Sequence, residues 1–296
     1  MKTYFIFLMH LAISMSGFCN TFLIGFQDTL SIHTKEYIIE SDGAKLFTTL
    51  FLPEGEGSFP AVVLIHSAGK FATSFYKPVA VQLCNRGFAT LIYDKRGTGE
   101  STGRYEDVNS KSSEKVLSQL AKDAINVINF IKKLPEVKTV GLLGTSQGGW
   151  IVPIICSQSQ DINFAVNISG PAVTVAEELY FSKLTGDEKP GQTYDTGDGL
   201  SIEEATAKVR EMKPQKSYDP APYIAKMDIP SFWLYGNLDR SVPVQLSMER
   251  LNQTPNKSLI TIKNFEDANH SLINVKTQER VTFWDEIVTW IQNILK

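Results

Sequence analysis

Residues 144–149 read Gly-Thr-Ser-Gln-Gly-Gly, so Ser146 stands between Gly144 and Gly148 in the spacing G-x-S-x-G. A serine hydroxyl is a weak nucleophile until a base takes its proton. The pentamer gains meaning from its surroundings, because it follows an apolar run at 140–143 and opens a helical stretch. A serine at a strand-to-helix turn sits on a tight, strained backbone. Its hydroxyl then projects beside helix amides that stabilise an anion. Flanking glycines let neighbouring elements come close. The plain alternative is a glycine-rich turn with an idle serine.

A base must accompany the serine, and three histidines lie beyond the first 26 residues: His33, His66 and His270. His33 precedes the first strand and reads as a surface residue. His66 ends a strand upstream of Ser146. His270 lies in the polar segment Asp267-Ala268-Asn269-His270-Ser271, after the last strand, where an imidazole can swing over the sheet edge. The base in turn needs an orienting carboxylate. Asp239 follows a buried strand in YGNLDRSVP. Asp267 is the rival acid, but it shares one loop with His270, a poor position for bonding the ring edge. The chain order is therefore Ser146, Asp239, His270, with His270 as base, and a rate that rises through about pH 6–7.

Alternating strands and helices must position these groups. Strands are expected at 35–40 and 45–52 around Asp42-Gly43, a hairpin signal. Further strands fall at 60–66, 88–93, 139–143, 163–168, 231–235 and 259–262, several of them continuous apolar runs of the kind buried on both faces. Helices are expected at 76–85, 115–132, 147–157 and 279–295. The helix at 115–132 is the clearest, with apolar residues at Leu117, Leu120, Ala121, Ala124, Val127, Ile128 and Ile131 on one face. This pattern predicts an α/β fold with a mostly parallel sheet covered on both sides. The rhythm breaks between about 172 and 228. There, helical pieces at 174–184 and 202–212 surround a polar loop at 186–199, which reads as a small helical cap or lid, or else as a disordered surface excursion.

Composition narrows the function. With 296 residues, 43% hydrophobic and 21% charged, the chain is long enough to bury a large core. A formal charge of −3 with no Lys/Arg stripe excludes the electrostatic footprint of a nucleic-acid binder. Neither CxxC nor HExxH occurs, so the common zinc signatures are absent. Residues 1–26 combine Lys2 with an apolar run at 4–18, as in a secretory signal peptide, with an uncleaved membrane anchor as alternative. Cys84 and Cys156 sit in apolar contexts and are expected as buried free thiols. Domain boundaries are accordingly 1–26 for the leader and 27–296 for one catalytic domain.

Taken together, FPAVVLIHSAGK, LIYDKRGTGES, GLLGTSQGGW, YGNLDRSVP and DANHSL resemble the loops of the α/β-hydrolase superfamily, over about residues 34–296. DKRGTGESTG, SQGGW and NISGPAV are most similar to bacterial carboxylesterases of the prolyl-oligopeptidase-like branch. That resemblance implies an acyl-transfer hydrolase needing no metal or cofactor and acting on a small-molecule ester, and the leader at 1–26 makes it an exported one. Ser146 would attack, His270 would act as base then acid, and Asp239 would hold His270. The oxyanion would be bound by the amides of Gln147 and Ala68. One departure stands out: Ser67 occupies the place of the usual glycine after the histidine, at a steric cost if that position needs a positive φ. The resemblance also implies that His66 is structural and that Asp94, Arg96, Gly97, Gly99 and Ser101 brace loops beside the site. Trp150, Tyr180 and Phe181 are open to two roles, lining an acyl pocket or packing the core. A peptidase acting on short peptides uses the same triad, and Glu177, Glu178, Glu203 and Glu204 are candidates to hold a substrate amine or to form a solvated helix face. A non-catalytic binding protein is the reading from another class.

Overall fold

A computed structural model describes residues 32–187 and 199–296. The expected export signal and most of the polar loop at 186–199 lie outside the described residues. Strands β1 (His33–Ser41) and β2 (Ala44–Leu52) form the expected hairpin. Asp42 and Gly43 take φ of 45° and 75°, the two left-handed residues whose turn matches the twist of paired strands. Then follow β3 (Phe59–Ile65), β4 (Ala89–Tyr93), β5 (Val137–Thr145), β6 (Phe164–Ile168), β7 (Ser231–Gly236) and β8 (Ile260–Phe265). They make one sheet of order β1-β2-β4-β3-β5-β6-β7-β8. The pairings of β1 with β2 and of β2 with β4 are antiparallel, and those from β4 to β8 are parallel.

Helices α1 (Thr73–Cys84), α2 (Ser113–Ile131), α3 (Gly148–Gln158) and α8 (Trp284–Ile294) cover the sheet. Ala61, Val63 and Ile65 of β3 join a core with α2 and α3. Their neighbours Val62 and Leu64 join a second core with α1 and α8. Successive side chains of a strand point to opposite faces, so a strand buried on both faces must be apolar throughout. Helix α2 buries Val116, Leu117, Leu120, Ala121, Ala124, Val127, Ile128 and Ile131. Each large aliphatic in that stripe contributes about 1.5–3 kcal/mol relative to exposure.

The cap insertion contains α4 (Val175–Thr185), α5 (Ile202–Arg210) and the single turn α6 (Ala221–Ile224). Both longer helices open with capping boxes, Thr174 with Glu177 and Ser201 with Glu204. Phe181, Ala205 and Val209 form a small core there with Val173 and Leu246. Leu246 belongs to α7 (Val244–Gln253), a helix that the sequence pattern does not announce. The closing helix starts at Trp284 rather than near 279. The preceding residues are drawn into a turn region by the bridges Ala268–Asn274 and Ile273–Arg280. Among the described residues no helix is long and apolar enough to cross a membrane. Cys84 and Cys156 are buried and free.

The parallel strands all end on one edge of the sheet, which gathers the loops after β3, β5, β6, β7 and β8 in one place. A cluster centred on the buried Asp123 ties the hairpin and the segment after β4 to α2 beneath that edge. Arg96 donates to Asp123 through Nε at 2.7 Å and Nη2 at 2.5 Å, and Ser41 donates to the same carboxylate. Asp123 is 1% exposed. Asp123→Ala should therefore leave Arg96 and Ser41 without their shared acceptor and lower unfolding free energy by about 1.5–3 kcal/mol in urea titration. A loss under about 1 kcal/mol would show that the pair adds nothing to stability.

Candidate active site

Ser146 sits at the turn from β5 into α3 with φ of 49°, the strained conformation expected of a strand-to-helix nucleophile. Its flanking glycines are sterically required. A Cβ on Gly144 would lie 2.8 Å from Val152 Cγ2, and one on Gly148 would lie 2.8 Å from the carbonyl of Ile65. The turn is held from below, since the Ser146 amide donates to Ile168 O at 2.9 Å.

The structure brings Ser146, His270 and Asp239 into one line of hydrogen bonds. Ser146 Oγ is 3.1 Å from His270 Nε2, and His270 Nδ1 is 2.7 Å from Asp239 Oδ2. With the proton on Nδ1, the ring donates to Asp239, and Nε2 is left to accept the serine proton. Asp239 is 1% exposed, and its other oxygen accepts the amides of Ser241 and Val242 at 2.8 Å each. That backbone cradle fixes the carboxylate direction. His270 is fixed through its own backbone, whose carbonyl accepts from Ser169 Oγ at 2.7 Å. Asn269 winds the loop by accepting the amides of Ser271 and Ile273 through Oδ1. Ser169 and Leu272, both beside this group, also have positive φ.

Burial disfavours the charged form of His270, yet the adjacent Asp239 carboxylate outweighs it, and Asp187 and Glu178 add to that pull. The ring is held above the ordinary imidazole range. Asp267 stands apart from the line of bonds. Its carboxylate pairs with Lys276 Nζ at 2.8 Å at the surface.

The loop after β3 lies beside Ser146. Ser67 does not take a positive φ; Gly69, at φ of 100°, is the left-handed residue, so serine after His66 is free of backbone strain. Ser67 Oγ and Thr145 Oγ1 share a hydrogen bond of 2.7 Å. The Ser67 amide donates to Tyr76 OH and the Gly69 amide to Tyr105 OH. No such acceptor is found for the amides of Ala68 and Gln147 among the described residues. Those two N–H groups, one at the opening of α3, can bind an anion formed at Ser146.

His66 is away from this chemistry. It is buried edge-on against Tyr76 and Tyr93, and burial, with Lys95 adding, drops its pKa to about 3. Asp94 braces loops: its carboxylate accepts the amides of Thr73 and Glu100, and its carbonyl accepts Ser101 Oγ. Trp150 and Phe181 are core residues. The Trp150 indole donates to Val173 O, and Phe181 fills the cap core, with Tyr180 half-buried against it. Glu177 is committed to its capping box and to a two-pronged pair with Arg250, which leaves it no freedom to hold a substrate amine.

Three neighbours of the site escape sequence reasoning. Tyr76 and Tyr105 reach it from sequence-distant segments, and nothing local marks them. Lys95 has a signal, a lysine two residues after the buried strand FATLIY; it is 1% exposed, and burial draws its pKa to about 7 against the pull of Asp107.

A family model described as serine aminopeptidase, S33, matches residues 58–192. Esterase EstD of Thermotoga maritima is 26% identical over 244 residues, 75% of this chain and 57% of EstD, so the chain spans little over half that relative. Among solved structures, a Pyrococcus furiosus esterase, Pf2001, superposes with a TM-score of 0.60 at 19% identity, covering 90% of this chain and 92% of its own. Est1E of Butyrivibrio proteoclasticus, solved with ferulic acid, gives 0.60 at 20% identity, covering 88% and 97%. At these identities the structural likeness is one of fold: the α/β-hydrolase fold.

The raised His270 sets the pH response. The ring must be neutral to accept a proton, so turnover should rise with pH with a midpoint above that of an unpaired imidazole, about 6.5, and not within the 6–7 expected of one. Asp239→Asn removes the largest favourable influence on the charged ring. It should lower that midpoint and cut kcat by about 10⁴-fold, while Asp267→Asn should leave both within a few-fold. The opposite ranking in rate–pH profiles would move the acid to Asp267.

Proposed function

We propose that this chain, with its α/β-hydrolase fold, is a serine hydrolase that cleaves carboxylic esters through an acyl-enzyme. The observation that carries the proposal is the unbroken line Ser146–His270–Asp239 at the strained turn, with the amides of Ala68 and Gln147 beside it. His270 Nε2 takes the Ser146 proton as Oγ attacks the acyl carbon. The carbonyl oxygen becomes an oxyanion and accepts the two N–H groups, each such donor being worth about 2.7–4 kcal/mol in the transition state. The imidazolium then gives its proton to the departing alkoxide. Water repeats the sequence on the acyl-enzyme, with His270 again as base, and releases the acid. No step requires a metal or cofactor. The similarity to esterases supports an ester; a small or medium substrate, as for a carboxylesterase or deacetylase, is part of the proposal.

A peptidase acting on short peptides is the second reading. The family description favours it, as does the placing of two cap carboxylates, Asp187 and Glu178, within electrostatic reach of His270, where they would suit a substrate amine. Export forms part of the same proposal and is supported by Lys2 and the apolar run that follows. Secretion assays of a reporter fused behind residues 1–26 test it.

Hydrolysis of p-nitrophenyl esters of increasing acyl length, beside aminoacyl p-nitroanilides, separates the readings. Ester turnover should dominate, and Ser146→Ala should lower it by about 10⁴-fold or more while leaving the thermal midpoint unchanged. Faster anilide cleavage would establish the peptidase. Activity that persists within a few-fold in Ser146→Ala would mean another nucleophile, and no turnover of either series would support a binding protein.

A further inference from the structure

Lys95 is a buried amine beside the site. It is 1% exposed, and no carboxylate pairs with it among the described residues. Burial disfavours the charged form of such an amine, and an apolar side chain of similar length would fill the space without that penalty. Its donors go to a single loop: Nζ donates to Ser67 O at 2.5 Å and to Gly69 O at 2.8 Å.

The direction of those bonds matters. The Ser67 carbonyl and the Ala68 N–H belong to one planar trans peptide and point opposite ways. In the sheet, β3 lies between β4, which leads into Lys95, and β5, which leads into Ser146. A carbonyl turned toward the β4 side therefore turns the Ala68 N–H toward the β5 side, where Ser146 stands. Flipping that peptide would present a carbonyl oxygen to the oxyanion instead of a donor. The flanking amides of Ser67 and Gly69 are already engaged by Tyr76 and Tyr105, so Lys95 fixes the one peptide plane they leave free. Either protonation state of the amine can donate both bonds.

We propose that Lys95 is a positioning residue that clamps the Ser67–Ala68 peptide, so that the Ala68 amide is held ready for the oxyanion. This rests on the serine-hydrolase proposal above and adds to it a residue that never touches substrate. The test is Lys95→Met in the full chain. Ester kcat should fall by about 10²-fold, the loss seen when an oxyanion donor is removed, with KM within threefold. Affinity for a trifluoromethyl ketone, which forms a tetrahedral adduct on Ser146, should fall by the same factor, and the thermal midpoint should not drop. Lys95→Arg, which restores two donors, should recover part of the loss.

A kcat within threefold of the native chain in Lys95→Met overturns the clamp, as does a loss of kcat without a matching loss of ketone affinity. If Lys95→Met does not fold, Lys95→Gln takes its place under the same criteria. Phosphonylation of Ser146 by a fluorophosphonate separates the two proposals, because it also builds charge on an oxygen. A native chain that is labelled but turns over no ester refutes the ester proposal. The relative labelling rate of Lys95→Met, slowed about 10²-fold or unchanged, then decides the clamp. A native chain that is neither labelled nor active overturns both.

Discussion

Ser146 occupies a left-handed backbone conformation at a cost on the order of 1–2 kcal/mol, and the rest of the site follows from how that strain is contained. The sheet contains it by continuing its ladder past the strand ends. The Ser146 amide bonds Ile168 O, the Ser169 amide bonds Leu234 O, and the Asn237 amide bonds Phe265 O. Each loop thus leaves the sheet while still pinned to the next strand. The spacing of neighbouring parallel strands, about 4.8 Å, then sets how far apart Ser146, Asp239 and His270 can be. Ser169 closes the circuit, since it is strained like Ser146 and bonds the backbone of His270. Strain confined to residues so fully bonded is what a preorganised site requires.

The opposite flank of Ser146 is built by a different device, a cluster of buried polar groups with few counter-ions. Asp94 gathers Thr73, Glu100 and Ser101, Lys95 gathers Ser67 and Gly69, and Arg96 reaches back to Asp123. Three consecutive side chains after β4 thus anchor three different segments. A buried polar network is worth having only if nearly every member is satisfied, because each unpaired group in low dielectric costs more than its bond returns. Placing it behind the loop of Ala68 makes that loop stiff where a flexible one would have to be ordered at each turnover.

Much of this architecture is legible in the residues alone. The hairpin, the buried strands, α2 and the Ser146, Asp239, His270 order rest on local signals, namely periodicity, turn residues and motif context. Asp267 can be set aside for the same reason, since its loop geometry is local. What escapes depends on distance in sequence. Tyr76 and Tyr105 act on amides 9 and 36 residues away. Helix α7 follows the acid loop directly, and its polar composition hides it there. The closing helix is shorter than its sequence suggests because the residues before Trp284 read as amphipathic, while bridges to the His270 loop claim them first. The roles of Trp150 and Phe181 stay open in sequence because an aromatic near a nucleophile looks the same whether it lines a pocket or fills a core.

The helical insertion after β6 and the Asp239 carboxylate are held by one backbone segment. Thr185 Oγ1 donates to Arg240 O at 2.5 Å, and Arg240 Nη1 returns to Thr185 O and Leu200 O. Ser241 bridges two carboxylates, its amide bonding Asp239 and its hydroxyl bonding Asp187 just past the end of α4. Burial raises the Asp187 pKa; the Ser241 hydroxyl opposes it, as does His270, while Asp239 adds to it. Asp187 and Asp239 thus sit on either side of one serine, and the like charge of Asp239 helps to raise the Asp187 pKa. Here the residues flanking Asp239 are the cap's own attachment points. The backbone that anchors the inserted helices and the backbone that orients the Asp239 carboxylate are thus one segment, and neither can shift without the other.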